Sequence, residues 1–488
     1  MKKVAIIGGG LGGIASAIRF KARGYDVAIY ERLNELGGRA QKFSKDGYLH
    51  DAGPTVITAP YLFNELFSLL GEDIDNYVTF QPLDPWYRFY FNDGTEFDYG
   101  PDREKMLERI DQISPKDVDG YIKMLKRAEV IFELGYEKLA SEPFNKIYKM
   151  LRYGPDIIRL GGYKSVYGFV SKYLEHPNLR QAFSIQPLLV GGNPFTTSSI
   201  YALIHALEQK WGISFVMGGT NHLILELRKL MERHGIKIHL QHDVDEFMTN
   251  KNSIQSVKFL NGKEVKADII VSNADPIQVN TEFLKNSKIS WHNQILKKYA
   301  KHSMGLFVLF FGSKKQYKNV AHHTIWMGPR YKELLEDIFD RHHLADDFSI
   351  YLHRPTATDP SFAPEGHDSY YALVPVPNLK GNYNWNEIKD GFSEKILASL
   401  DRTIMPGILT NAVSKFCMTP IDFKNDYRTP YGSGFSIAPI LTQSAWFRTH
   451  NQDDKYKNLY YVGAGTHPGA GIPGVLNSAK VVDNIIHS

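Results

Sequence analysis

One cysteine, Cys417, stands in 488 residues. No intramolecular disulfide can form, and a chain so poor in cysteine suits a reducing, cytosolic compartment. Its setting, Phe416-Cys417-Met418, is apolar and strand-like, so a buried packing role is expected rather than a reactive thiol. Long apolar runs are also missing: no stretch reaches the roughly 18 residues of a spanning helix. The opening Met1 to Ile7 is too short an apolar run for a signal peptide and breaks into glycines. Neither charge sign dominates. Lys and Arg number 57 against 53 for Asp and Glu, and the net charge of +4 argues against a dedicated nucleic-acid binder. Repeats, low-complexity tracts and long linkers are lacking. His322-His323, His342-His343 and His353 match no metal-binding spacing, and neighbours on a strand point opposite ways, so no metal is expected.

The informative features lie at the two ends. Val4-Ala5-Ile6-Ile7 reads as a buried parallel strand, and Gly8, Gly10 and Gly13 follow it in the pattern G-x-G-x-x-G. A helix from Ile14 and a second strand, Tyr25 to Tyr30, complete a βαβ beginning, with Glu31 at the strand end. In such a unit the glycines allow a tight turn, close approach to a pyrophosphate and close helix packing. The acid accepts hydrogen bonds from ribose. Glu31 also disfavours a 2′-phosphate, which leaves FAD or NAD. Leu36-Gly37-Gly38-Arg39 just beyond favours a flavoprotein, because Arg39 can neutralise phosphate. Asp51-Ala52-Gly53-Pro54-Thr55 reads as a loop beside something flat. At the other end, strand Leu459 to Val462, a glycine-rich loop to Pro473 and a helix from Gly474 present a helix N-terminus. Its dipole suits negative charge on a flavin ring.

The matching runs extend through the middle: Leu188 to Phe195, Ser198 to Glu208, Gly328 to Leu334, Leu441 to Arg448 and Val462 to Val475. On these the chain resembles, over nearly its whole length, the bacterial and fungal type of phytoene desaturase within the flavin amine-oxidase superfamily. The resemblance implies tightly but non-covalently held FAD and desaturation of 15-cis-phytoene to lycopene at a membrane surface. It implies that Gly8, Gly10, Gly13, Glu31, Gly38 and Arg39 hold the ADP and ribityl portions. It places Gly53, Pro54 and Thr55 near the isoalloxazine, Val244 on the adenine side, and Gly463, Gly465, Gly474 and Val475 around the flavin. Related desaturases of modified carotenoids, and flavin-fold lipid binders without chemistry, are the alternatives.

The expected fold class is α/β: a Rossmann-like FAD-binding domain interleaved with a substrate domain of mixed sheet plus helices. Residues 1–80, 212–285 and 455–488 are assigned to the first, and residues 81–211 and 286–454 to the second. Val78 to Tyr99 reads as hairpin strands, and 102–210 as largely helical. Lys146 to Leu174 mixes six cations (Lys146, Lys149, Arg152, Arg159, Lys164, Lys172) with aromatics and one acid, Asp156. That composition suits an anionic membrane surface, and a peripheral position at the inner face of the cell membrane is expected. The partners expected are a lipophilic carotene and that surface, with no nucleic acid; homo-oligomer formation stays open. No catalytic residue is assigned: Asp51, His205 and His467 lie in suggestive positions, each with a structural explanation.

Overall fold

The chain is described by a computed structural model covering residues 1–487. The strand Lys3–Ile7 is apolar after its first residue because it is buried on both faces. It pairs in parallel with Asp26–Tyr30 on one side and Ile269–Ser272 on the other. Lys237–His239 and Leu459–Tyr461 close the two edges of this five-stranded parallel sheet. The strand at each end of the sequence is thus separated by only Ile269–Ser272. The helix Leu11–Ala22 packs against the final helix, Ile472–His487, and Arg23 bonds Asp483 across the pair.

A second, seven-stranded sheet carries the residues between. Its order is Ala412–Met418, Gly305–Ser313, Asp368–Val376, Ile350–His353, His323–Trp326, Tyr87–Tyr90 and Glu96–Tyr99. All pairs are antiparallel except His323–Trp326 with Tyr87–Tyr90. Gly305–Ser313 is buried at every residue, so it reads as a continuous apolar run instead of alternating. Helices between Arg103 and Trp211 cover one end of this sheet, and their apolar residues share a core with Trp86, Phe89 and Phe97. The architecture is α/β, a Rossmann-like sheet interleaved with a mixed sheet plus helices.

Boundaries differ from the sequence reading by a few residues. The first helix starts at Leu11, not Ile14, because the glycine turn feeds directly into it. The last begins at Ile472, two residues before Gly474. Cys417 is half-buried, not buried: it pairs with Leu309 on the edge strand, and burial still pushes its thiol pKa up.

Candidate active site

A cavity of about 590 Å³ runs between the two sheets. Every expected cofactor residue except Gly13 lines it: Gly8, Gly10, Glu31, Gly38, Arg39, Gly53, Pro54, Thr55, Val244, Gly463, Gly465, Gly474 and Val475. Gly13 serves packing instead. A Cβ there would stand 2.0 Å from the Gly8 carbonyl oxygen, so only glycine lets the helix sit on the turn.

The donor set fits a dinucleotide. Glu31 is buried at the strand end and accepts from the N–H groups of Gly9 (2.6 Å) and Leu33 (2.8 Å). It therefore stitches the glycine turn to the second strand while facing the cavity. Desolvation raises its pKa, against the pull of those N–H groups. Arg39 lies in the cavity wall with its Nε buried and unpartnered. A desolvated guanidinium with an idle donor matches a phosphate oxygen. Val244 opens a strand, and two residues before it His242 donates its N–H to the Glu31 carbonyl, which brings this segment to the same place.

The C-terminal loop is held by a residue the sequence reading left unassigned. Arg448 is 1% exposed, and its guanidinium donates to four carbonyls: Thr466 (3.0 Å), Ala464 (2.6 Å), Gln443 (3.2 Å) and Ile437 (3.3 Å). Gly463 has φ +98°, and a Cβ there would meet Asn273 Oδ1 at 2.8 Å. The loop therefore turns tightly against the end of strand Ile269–Ser272 and delivers the N-terminus of the last helix to the cavity.

Beyond the dinucleotide end the wall is almost entirely side chains. Leu188, Leu189, Ile200, Leu203, Leu207 and Phe435 contribute apolar surface. Thr55 Oγ1 lies 2.8 Å from the Tyr371 hydroxyl and 2.9 Å from that of Tyr351. Among the carboxyls that line the cavity is Glu208 of helix Leu203–Trp211, beside Leu203 and Leu207 of the apolar wall. It is fully buried and accepts from the Tyr99 hydroxyl at 3.1 Å and more weakly from Tyr87 at 3.5 Å. Desolvation pushes its pKa up to about 8, the tyrosines offsetting only part. A carboxyl poised near neutrality inside an apolar chamber is suited to proton transfer. The sequence signal was present: Glu208 is an acid directly after a predominantly apolar run, Leu203 to Leu207.

Of the earlier candidates, Asp51 and His205 lie outside the cavity wall. Asp51 is buried behind the wall and accepts from the N–H groups of Thr220 (3.2 Å) and Asn221 (3.5 Å), anchoring the helix Thr220–Arg233. Burial raises its pKa to about 7. His205 is tied to the Phe183 carbonyl at 2.9 Å, and burial lowers its pKa to about 4. His467 does line the cavity, held by the Leu139 carbonyl at 3.1 Å, and burial lowers it to about 4 as well.

Helix Ile147–Arg159 lies at the cavity's apolar side. Met150 and Ile157 line the cavity, while Leu151 (70% exposed) and Ile158 (64%) face solvent, with Ile147, Tyr148 and Tyr163 also exposed. No helix among the described residues is long and apolar enough to cross a membrane.

This fold and this site define an FAD-dependent oxidoreductase. Residues 11–482 match the family of flavin containing amine oxidoreductases. The phytoene desaturase (lycopene-forming) of Pantoea ananas is 43% identical, covering 100% of this chain and 99% of that protein. The enzyme of the same description from Pseudescherichia vulneris is 44% identical, again over 100% and 99%. An oxidoreductase from Methanosarcina mazei shares the fold at 16% identity, with a TM-score of 0.67 over the whole of both chains. The chain belongs to the flavin containing amine oxidoreductases, on their phytoene desaturase branch.

Proposed function

We propose that this enzyme desaturates 15-cis-phytoene through conjugated intermediates to lycopene at a membrane surface. The observation that carries the reading is the continuity of one cavity. It runs from the dinucleotide glycines to a predominantly apolar chamber that holds the Glu208 carboxyl. A hydrocarbon offers no polar handle, so apolar area and chamber shape must select it. Each step removes a hydride and a proton from neighbouring carbons. FAD, when bound, supplies the hydride acceptor at N5 of its ring. The chain's own residues exclude water, align the polyene and take the proton; Glu208 Oε2, beside the Tyr99 hydroxyl, is the acceptor in this reading.

The membrane part rests on helix Ile147–Arg159. Its apolar residues divide between the cavity and solvent, and cations flank them. Such a helix suits the headgroup boundary, where a carotene can pass from bilayer to chamber without crossing water. The enzyme reading is tested by giving FAD-loaded protein 15-cis-phytoene in liposomes under air with a quinone present, so that the reduced flavin is reoxidised after each step. Conjugated products ending at lycopene, seen by chromatography, are expected; unchanged phytoene with a yellow protein overturns it. Flotation with anionic liposomes tests the membrane part. Changing Lys146, Lys149, Arg152, Arg159, Lys164 and Lys172 to Glu is expected to abolish flotation, and equal flotation refutes the docking face.

A further inference from the structure

We propose that His322, His323 and His353 form a binding site for one divalent first-row transition metal of the zinc class. His323 and His353 are register partners on antiparallel strands, so their side chains share a face. His322 lies just before its strand and is not bound by the alternation that would turn it away from His323. Its carbonyl accepts the Arg354 N–H at 2.9 Å, which holds the bend beside His353. One ring nitrogen from each of the three lies within 4.8 Å of the others.

The cluster is dry and short of partners. The three residues are 5%, 0% and 0% exposed. Nε2 of His322, Nε2 of His323 and both ring nitrogens of His353 have no hydrogen-bond partner. Buried polar atoms are almost always satisfied, so four ring nitrogens without a protein partner in one cluster point to a ligand. Imidazole binds a metal in its neutral form. The positive neighbour, Arg354, is neutralised by Asp368 at 3.1 Å. Zinc–nitrogen bonds of about 2.0 Å place tetrahedral ligands roughly 3.4 Å apart, so modest ring rotations complete the site. Imidazole ligands suit zinc and its neighbours over calcium or magnesium.

The outer nitrogens are already oriented as a metal requires. His322 Nδ1 lies 2.6 Å from Thr358 Oγ1, and His323 Nδ1 lies 2.7 Å from the Tyr351 hydroxyl. If each Nδ1–H donates, Nε2 is left as the lone pair aimed inward. Tyr351 then donates to Thr55 Oγ1, and Thr55 to Tyr371. The metal would thereby fix a directed chain of hydrogen bonds ending in the cavity wall. Its role is to set that wall, not to react.

The test reads metal, not desaturation, so it stands or falls apart from the proposed substrate. Untagged, FAD-loaded protein purified without chelator is assayed by elemental mass spectrometry. Close to one zinc-class ion per chain is expected in the wild type, falling at least tenfold in His353→Asn and His323→Ala with flavin absorbance retained. Should the variants not fold, chelator-stripped wild type is loaded with Co²⁺. Intense tetrahedral d–d bands, displaced by Zn²⁺ with a rise in Tm, support the site. A metal-free wild type with no Co²⁺ bands and no Zn²⁺-dependent Tm shift overturns it, as does metal that persists in both folded variants.

Discussion

The two ends of the cavity are built from different materials. The dinucleotide end is mostly backbone: turns at Gly8, Gly38 and Gly463, a helix N-terminus, and a few charged groups, Glu31 and Arg39, close in sequence to those turns. The chamber end is mostly side chain, drawn from strands and helices far apart: Thr55, Glu208, Tyr351 and Phe435. Backbone recognition needs residues of fixed local geometry, so it leaves a motif. Side-chain recognition of a hydrocarbon needs only apolar shape, which many sequences can supply. The first end should therefore fail by losing its shape, and the second by losing its chemistry while the fold survives.

The harshest break is expected at Gly13→Val. Its side chain would press into the Gly8 carbonyl, overpacking at a cost above about 3 kcal/mol. The protein should purify colourless or insoluble, read from flavin absorbance. Arg448→Met comes next. Three buried carbonyls and one partly buried one lose a charged donor, for a loss of about 3 kcal/mol or more. A lowered Tm and weakened FAD retention are expected, and unchanged values would show that the loop holds itself.

Glu208→Gln is the matching change at the chamber end. FAD should stay bound while kcat falls about 100-fold or more, the range of a lost proton-transfer group. In the wild type, activity should rise with pH up to about 8 as the carboxylate forms, and the variant should lose that limb. Stability moves the other way. The folded state holds the Glu208 proton more tightly than the unfolded chain, so its contribution is full below about 4.5 and lost as pH rises through about 8. Melting at pH 9 should then show the variant gaining on the wild type relative to pH 6. The smallest effect belongs to Leu151→Ser with Ile158→Ser on the exposed helix face. Stability should change by under about 0.5 kcal/mol, while liposome flotation falls several-fold.

Legibility in the sequence followed the same division. Gly8, Gly10, Glu31 and Arg39 could be read because strand, turn, helix and acid come in a fixed order within one βαβ unit. Arg448 could not be given its role, because the carbonyls it holds approach it only after the C-terminal strand joins the sheet. Glu208 carried a faint signal, an acid ending an apolar stretch, but nothing local showed that Tyr87 and Tyr99 would meet it. Asp51 drew attention by proximity to the flavin loop, and its oxygens turned out to face the helix at Thr220. For the histidines, alternation along a strand was a sound rule applied one residue too far, since His322 precedes its strand.

The sequence by itself determined the cofactor class, the parallel sheet that carries it and the joining of the two chain ends. Those follow from backbone geometry that glycine, β-branched runs and a terminal acid specify locally. Only the tertiary structure decided which carboxyl faces the chamber, which arginine clamps the loop, and which histidines meet. Those depend on contacts between segments hundreds of residues apart, where burial and desolvation, not local propensity, set what each side chain can do.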